Sequence, residues 1–356
     1  MRRDDDTAAA WRSLSNDRSR REYVLALAGL ASVGLAGCSS DDVARPEEVT
    51  DGTGDGTDRS TAGDGTPESA DRTGSTPGTV DAALGEVIEG DQLALVAYSV
   101  ERRRQVGQFT RADEGNEFVV VEMAAKNRTS EEFMNFSSFL QVSLHDDEDY
   151  EYDQTITGSG GSLDSGELAP GEVTRGTLVF EVPEGTSGLA LHVDLDQSII
   201  GYDGVEIDLA SRGSGRTLTQ DLQVEVYETG DTLDYQDTRF TVNSVRTSSG
   251  EGFAQPDEGN EFVLVDVTVE NTGDDELTVS TLLQMELKDG RGRTYDISIV
   301  GASVSDRDFS QGDPIPPGGR RRGEVVFEAP EGIDPLYLVM DFDVFAEGDK
   351  SFFQLR

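Results

Sequence analysis

His192, Asp194 and Asp196 alternate along the stretch LALHVDLD at 189–196. In an extended chain successive side chains point to opposite sides, so these three project from one face. An imidazole and carboxylates set out this way suit a hard divalent cation, calcium or magnesium. Asp341 and Asp343 repeat the two carboxylates in LYLVMDFD at 336–343, and the five residues together are the candidate metal ligands. HDDEDYEYD at 145–153 crowds six further acids into one stretch, whereas its counterpart KDGRGRTYD at 288–296 is basic. A solvated acidic face accounts for such carboxylates without any metal.

Nucleophilic catalysis needs a base beside the nucleophile. The chain holds two histidines, and neither recurs in the second half: His145 aligns with Lys288 and His192 with Val339. The serine-hydrolase elbow G-x-S-x-G, the zinc-protease motif H-E-x-x-H and the phosphate-binding Walker A loop are all missing. TGSGGS at 157–162 is glycine-rich but lacks the lysine and the helix that a phosphate loop requires. The expectation is a protein that is not an enzyme. Cys38 is the one cysteine, which excludes an intrachain disulfide and a cysteine metal cluster. The formal charge of −42, with 29 basic residues of which three are lysines (Lys126, Lys288 and Lys350), excludes nucleic acid as a partner, because phosphate binding needs a basic face. Acidic, lysine-poor chains resemble those of salt-loving organisms, where brine shrinks the Debye length to about 3 Å and screens the self-repulsion.

The elements that position these residues are strands, and they come in two sets. DEGNEFV is found at 113–119 and again at 257–263. Around it, LQVSLHDDEDYEYD matches LQMELKDGRGRTYD, LAPGEVTRGTLVFEVPEG matches IPPGGRRRGEVVFEAPEG, and LALHVDLD matches LYLVMDFD, in the same order. This is a duplicated domain, each copy long enough to bury its own core. The period is two: Val263, Val265, Val267 and Val269 share a face opposite Asp266, Thr268 and Glu270. One buried and one wet face is the pattern of antiparallel sheets in a sandwich. Helical periodicity is absent after Cys38. Gly115 and Gly259 supply a turn before each central strand.

Ahead of the repeat lies an address. Arg20-Arg21 precede a short apolar run, Val24 to Gly37, too short to span a bilayer and similar to a secretion signal. The pair resembles a twin-arginine (Tat) export signal, and Leu35-Ala36-Gly37-Cys38 resembles a lipobox, whose cysteine takes a lipid. Together they resemble a haloarchaeal surface lipoprotein. The location implied is the extracellular face of the cell membrane, with a lipid anchor at Cys38 and envelope or surface proteins as partners. Residues 39–85 are almost free of large apolar side chains and read as a disordered tether with a reach on the order of 40 Å.

A G-x-E-F-V-x-V strand ending at Asn, a Tyr-Asp, a Pro-Gly and a V-F-x-x-P strand together resemble the telokin-like, immunoprotective-extracellular type of Ig-like domain of unknown function. That resemblance implies an exported binding or accessory module with no catalytic residues to carry over. The fold expected is all-β, two tandem Ig-like antiparallel sandwiches after a signal peptide (1–37) and a lipidated linker (38–85). Domain 1 spans 86–210, a short linker 211–218 and domain 2 219–356. Arg102–Arg104 and Arg320–Arg322 are expected to neutralise nearby carboxylates or guard a strand edge. Asn127 and Asn135 fit the N-glycosylation rule.

Overall fold

The computed structural model describes residues 78–107, 110–157, 161–163, 165–309, 312–342 and 350–356, which belong to one compact unit. The export arginines Arg20 and Arg21, the lipobox residues Leu35, Ala36 and Gly37, the lipid acceptor Cys38 and the candidate ligand Asp343 lie outside the described residues.

Both copies build the same pair of sheets. In copy 1 a five-stranded sheet runs in the order Val80–Leu84, Val205–Arg212, Ala190–Val193, Val142–His145, Glu151–Tyr152. In copy 2 the order is Val226–Glu228, Lys350–Gln354, Leu336–Asp341, Met285–Asp289, Thr294–Tyr295. A four-stranded sheet faces each: Val173–Pro183, Asn116–Asn127, Leu93–Arg103, Ile88–Glu89 in copy 1, and Arg320–Pro330, Asn260–Asn271, Thr238–Ser248, Thr232–Tyr235 in copy 2. The repeat is therefore two tandem β-sandwiches. Val119, Val121 and Met123 meet Leu178, Phe180 and Leu191 in the first core; Val263, Val265, Val267 and Val269 meet Phe327, Leu338 and Phe353 in the second. Each such side chain, taken out of water, contributes roughly 1.5–3 kcal/mol.

The repeated phrase is a clip. In copy 1 the Asp113 N–H (2.7 Å) and the Asn116 side-chain amide (3.1 Å) both donate to Glu181 Oε1; in copy 2 Asp257 (2.7 Å) and Asn260 (3.0 Å) donate to Glu328 Oε1. Gly115 and Gly259 sit at φ +90° and +87°, with open space where a Cβ would lie. Glycine is needed there for the backbone conformation, not for room.

Five features differ from expectation. The first strand, Val80–Leu84, belongs to copy 1 and not to the tether. Its alternating Val80, Ala82 and Leu84 are small and few, so composition hid them, yet Ala82 and Leu84 are buried. It pairs in parallel with Val205–Arg212, as Val226–Glu228 does with Lys350–Gln354, so the sheets are mixed. The last strand of copy 1 also runs past residue 210 to Arg212. The face of the central strand opposite the core is not wet: Leu264 packs with Phe262 and Val326, and Asp266 is buried against Arg322 in a two-bonded pair at 2.9 and 2.8 Å. Finally, single helical turns punctuate both copies, Ser138–Gln141 and Thr281–Gln284, too short to leave a helical period in the sequence.

Candidate functional site

The five-stranded sheets turn their outer faces to different surroundings. In copy 2 that face is covered by copy 1. Val339 and Phe352 pack against Ala169, with Phe133, Leu222, Val226 and Tyr337 around them. Beside them Glu172, with none of its surface exposed, meets Lys288, 2 % exposed, at 2.5 Å. Lys350 Nζ reaches the same carboxylate at 3.2 and 3.3 Å, and the Ala169 N–H donates to its other oxygen at 2.7 Å. Burial alone would push the Glu172 carboxyl up; the two ammonium groups and the hydrogen bonds outweigh it and hold it below the usual range. Lys126, the third lysine, donates to the Thr219 carbonyl at 3.0 Å. All three lysines of the chain thus bond across the join between the copies or to the segment that links them.

Backbone bonds close the same junction. Asp221 N–H donates to Gly171 O, Gln223 N–H to Pro170 O, and Arg175 N–H to Gly292 O. Gly171 sits at φ +79°, and a Cβ there would lie 1.8 Å from the Asp221 carbonyl oxygen. Tyr98, at the bulge where the register shifts between Ala97 and Ser99, accepts the Leu218 N–H at 2.8 Å and carries the Arg175 guanidinium 4.1 Å above its ring. No local pattern in the sequence marks the junction, whose contacts join residues far apart along the chain.

In copy 1 the same face is open. His192 stands where copy 2 has Val339, Glu206 where it has Phe352, and His145 where it has Lys288; the cross-strand pairs His192↔Glu206 and Val339↔Phe352 set this equivalence. The two imidazoles stack in parallel, centroids 3.8 Å apart at 3°. Ser143 Oγ lies 2.9 Å from His145 Nε2, and Glu206 Oε2 lies 3.4 Å from His192 Nε2. Burial, then the neighbouring His145, pushes the His192 pKa down. These groups line an open groove of about 870 Å³ together with Asp81, Glu151, Asp153, Asp194, Phe139 and Leu140, and among the described residues its lining holds no lysine or arginine. The Ser143–His145 distance is that of a nucleophile and its base. Among the described residues, however, no carboxylate hydrogen-bonds the other nitrogen of that ring.

The candidate ligands do not converge. His192 and Asp194 line one groove, Asp196 lies beyond the end of the strand at Val193, and Asp341 belongs to copy 2, cross-strand from Lys350. Among the described residues no three His, Cys, Asp or Glu side chains gather as a metal-holding group. The acidic hairpin has a structural member: Asp146 accepts the Glu148 and Tyr150 N–H groups and the Tyr152 hydroxyl, as Asp289 accepts Arg291, Arg293 and Tyr295 in copy 2.

Asn127 is corrected as a glycan acceptor. It is fully buried, and its amide donates to Glu132 O (2.8 Å) and Leu168 O (2.9 Å); Asn271 repeats both bonds with Asp275 O and Ile315 O. Asn135 is exposed on the short strand Met134–Phe136. The arginine clusters meet carboxylates: Arg102 pairs with Glu117 (2.6 Å), Arg104 with Glu184 (2.5 Å) and Arg322 with Asp266.

The family described as Domain of unknown function (DUF4352) matches residues 82–204 and 227–350. Among curated proteins none matches the chain. Among solved structures, an uncharacterized β-sandwich protein from Clostridium difficile is 17% identical over 37% of this chain and 95% of its own, with a TM-score of 0.27. The yjhA protein from Bacillus subtilis is 20% identical over 37% of this chain and 100% of its own, with a TM-score of 0.30. A conserved hypothetical protein from Bacillus anthracis is 19% identical over 36% of this chain and 95% of its own, with a TM-score of 0.29. No helix among the described residues is long and apolar enough to cross a membrane.

Proposed function

The chain belongs to the DUF4352 family, carrying its domain twice, and from that premise we propose that it is a non-catalytic interaction module held at the outer cell surface by a lipid on Cys38. The observation that carries this reading is the divergence of one face between the copies. Where copy 2 uses it to hold copy 1, it is apolar and covered. Where copy 1 leaves it open, Glu206 and two histidines replace the apolar residues and the lysine, and a groove results. A face that binds polypeptide in one copy and is open in the other supports binding, and nothing in the family description indicates a reaction. The twin arginines, the lipobox and the Asp/Gly/Thr-rich segment before the sandwiches support export and anchoring. The Ig-like resemblance and the acidic composition agree with an exposed envelope protein of a salt-loving cell.

The test is crosslinking on intact cells at native salt through a C-terminal tag, with an export-blocked Arg20→Lys/Arg21→Lys chain as control. A dominant envelope partner, lost in the control, is the expected result. An unanchored protein found in the cytoplasm would sink the reading. A second reading, a cation-dependent adhesion protein binding calcium or magnesium, is favoured by the carboxylates around the groove, Asp194 among them. Calorimetry with either ion at native salt decides it, and a flat titration removes it.

A further inference from the structure

We infer that the open face of copy 1 docks a basic, apolar-bearing segment of another polypeptide; the inference rests on the interaction-module reading and gives its partner a chemistry. The apolar half of the argument is a repeated feature. Of the nine large hydrophobic side chains exposed among the described residues, six fall at equivalent places in the two copies: Phe139, Leu140 and Ile156, and Leu282, Leu283 and Ile299. Scattered single apolar residues are ordinary on a surface, but in copy 1 Phe139 and Leu140 line the groove beside the histidines, where an apolar partner side chain can cover them. Leu140 is 85 % and Phe139 53 % exposed. Neither is on a loose loop. In copy 1 Gln141 Oε1 accepts the Ser137 N–H at 2.8 Å, and in copy 2 Gln284 Oε1 accepts the Ser280 N–H at 2.8 Å, so each pair stands on a pinned helical turn. A backbone already held in place has less ordering left to lose on binding.

The polar half comes from what the covered face does. In copy 2 this face takes a polypeptide corner, Ala169 to Glu172, and it does so with cations, Lys288 and Lys350, against a carboxylate. Copy 1 has the opposite sign at the same place. Glu206, Asp194, Glu151 and Asp81 line the groove with the stacked histidines, and among the described residues no lysine or arginine joins them in the lining. By the same geometry the complementary corner is basic, with an apolar residue to cover Phe139 and Leu140. Only copy 1 has both halves, because the face of copy 2 is already occupied. A membrane is disfavoured by the same charge, since anionic headgroups repel it.

The test uses the full chain and a fluorescein-labelled peptide of arginines interspersed with leucine and phenylalanine, read by anisotropy, with glutamates replacing arginines in the control peptide. The arginine peptide is expected to bind and the glutamate peptide not to. Asp194→Arg/Glu206→Arg and Phe139→Ser/Leu140→Ser are each expected to weaken binding by about tenfold or more, as loss of a charge match or an anchor does. Leu282→Ser/Leu283→Ser is expected to leave it within about twofold, as a change away from the contact does. These positions face solvent, and the thermal midpoint of each variant checks that folding is intact. No binding of the arginine peptide, equal binding of the glutamate peptide, or an equal loss from the copy 2 variant overturns the inference. Concentration-dependent sedimentation of the chain alone, abolished by Arg320→Glu, also overturns it, with a second copy as the occupant. Crosslinking that still captures an envelope partner after such a failure leaves the interaction module standing and moves its site elsewhere.

Discussion

One face of the sandwich has two histories in this molecule. In copy 2 the outer side of the five-stranded sheet carries Val339, Phe352 and Lys288 and is buried under copy 1. In copy 1 the same positions carry His192, Glu206 and His145 and line a groove. The cores behind the two faces are alike: Leu191 and Leu338 hold the same place, and both are fully buried. Burial, rather than strand geometry, separates the two faces. The corner that fills the copy 2 face shows the complement: Ala169, Pro170, Gly171 and Glu172 are buried, while Pro316, Pro317 and Gly318 at the equivalent turn are exposed.

The largest test of the contrast removes the junction carboxylate. Glu172→Ala leaves Lys288 charged and enclosed, and a buried charge stripped of its partner costs about 3–5 kcal/mol. The expected outcome is an unfolding free energy, read from chemical denaturation, lowered by that amount and partly restored in Glu172→Ala/Lys288→Met. An unchanged free energy would mean that the copies do not rest on this contact. Next comes the glycine at the corner. Gly171→Ala combines a positive φ with a Cβ 1.8 Å from a carbonyl oxygen and is expected to cost roughly 3 kcal/mol. Gly318→Ala has the φ of +67° and nothing nearby, so about 1 kcal/mol is expected. Equal losses would erase the distinction between a docked and a free corner.

Exchanging residues between the faces is milder. Val339→His places an imidazole in the apolar contact and is expected to lower stability by about 2 kcal/mol. His192→Val in the open groove is expected to stay within about 0.5 kcal/mol. Acid gives the smallest effect on the open face. The His192 pKa is depressed from 6.5 in the folded chain, so the folded state binds fewer protons than the unfolded one. Its stability is full above pH 6.5 and falls as pH drops below it. A shallow loss below that pH, absent in His192→Gln, is expected in pH-dependent melts. Glu172 acts in a lower window: its pKa is depressed from 4.5, so its contribution is present above 4.5 and is lost as pH falls through the depressed value.

Much of the frame was legible in the sequence. The period-two runs marked the cores, since Val263 through Val269 had to face inward together. DEGNEFV marked a structural turn because its glycine sits at positive φ, while its Asp and Asn bond a glutamate far along the chain, Glu181 or Glu328. The short strand Val80–Leu84 was hidden because three small apolar residues carry too weak a pattern. Asn127 read as a glycan site because the tripeptide rule sees no burial, and only the folded chain brings Leu168 to its amide. The groove was half-visible: His192 and Asp194 were picked out, but Leu140 alternates with Val142 and Leu144 and looks like a core residue until the helical turn leaves it exposed.

By itself the sequence determined the duplication, the strand period, the all-β class and the expectation of an export address, because these are local patterns or self-similarity along one chain. Only the tertiary structure decided that Glu172 meets Lys288 and Lys350, and that one face is closed while its twin is open. Those contacts join residues 116 and 178 positions apart. Burial and charge pairing depend on what the fold brings opposite a residue, and no local pattern records that.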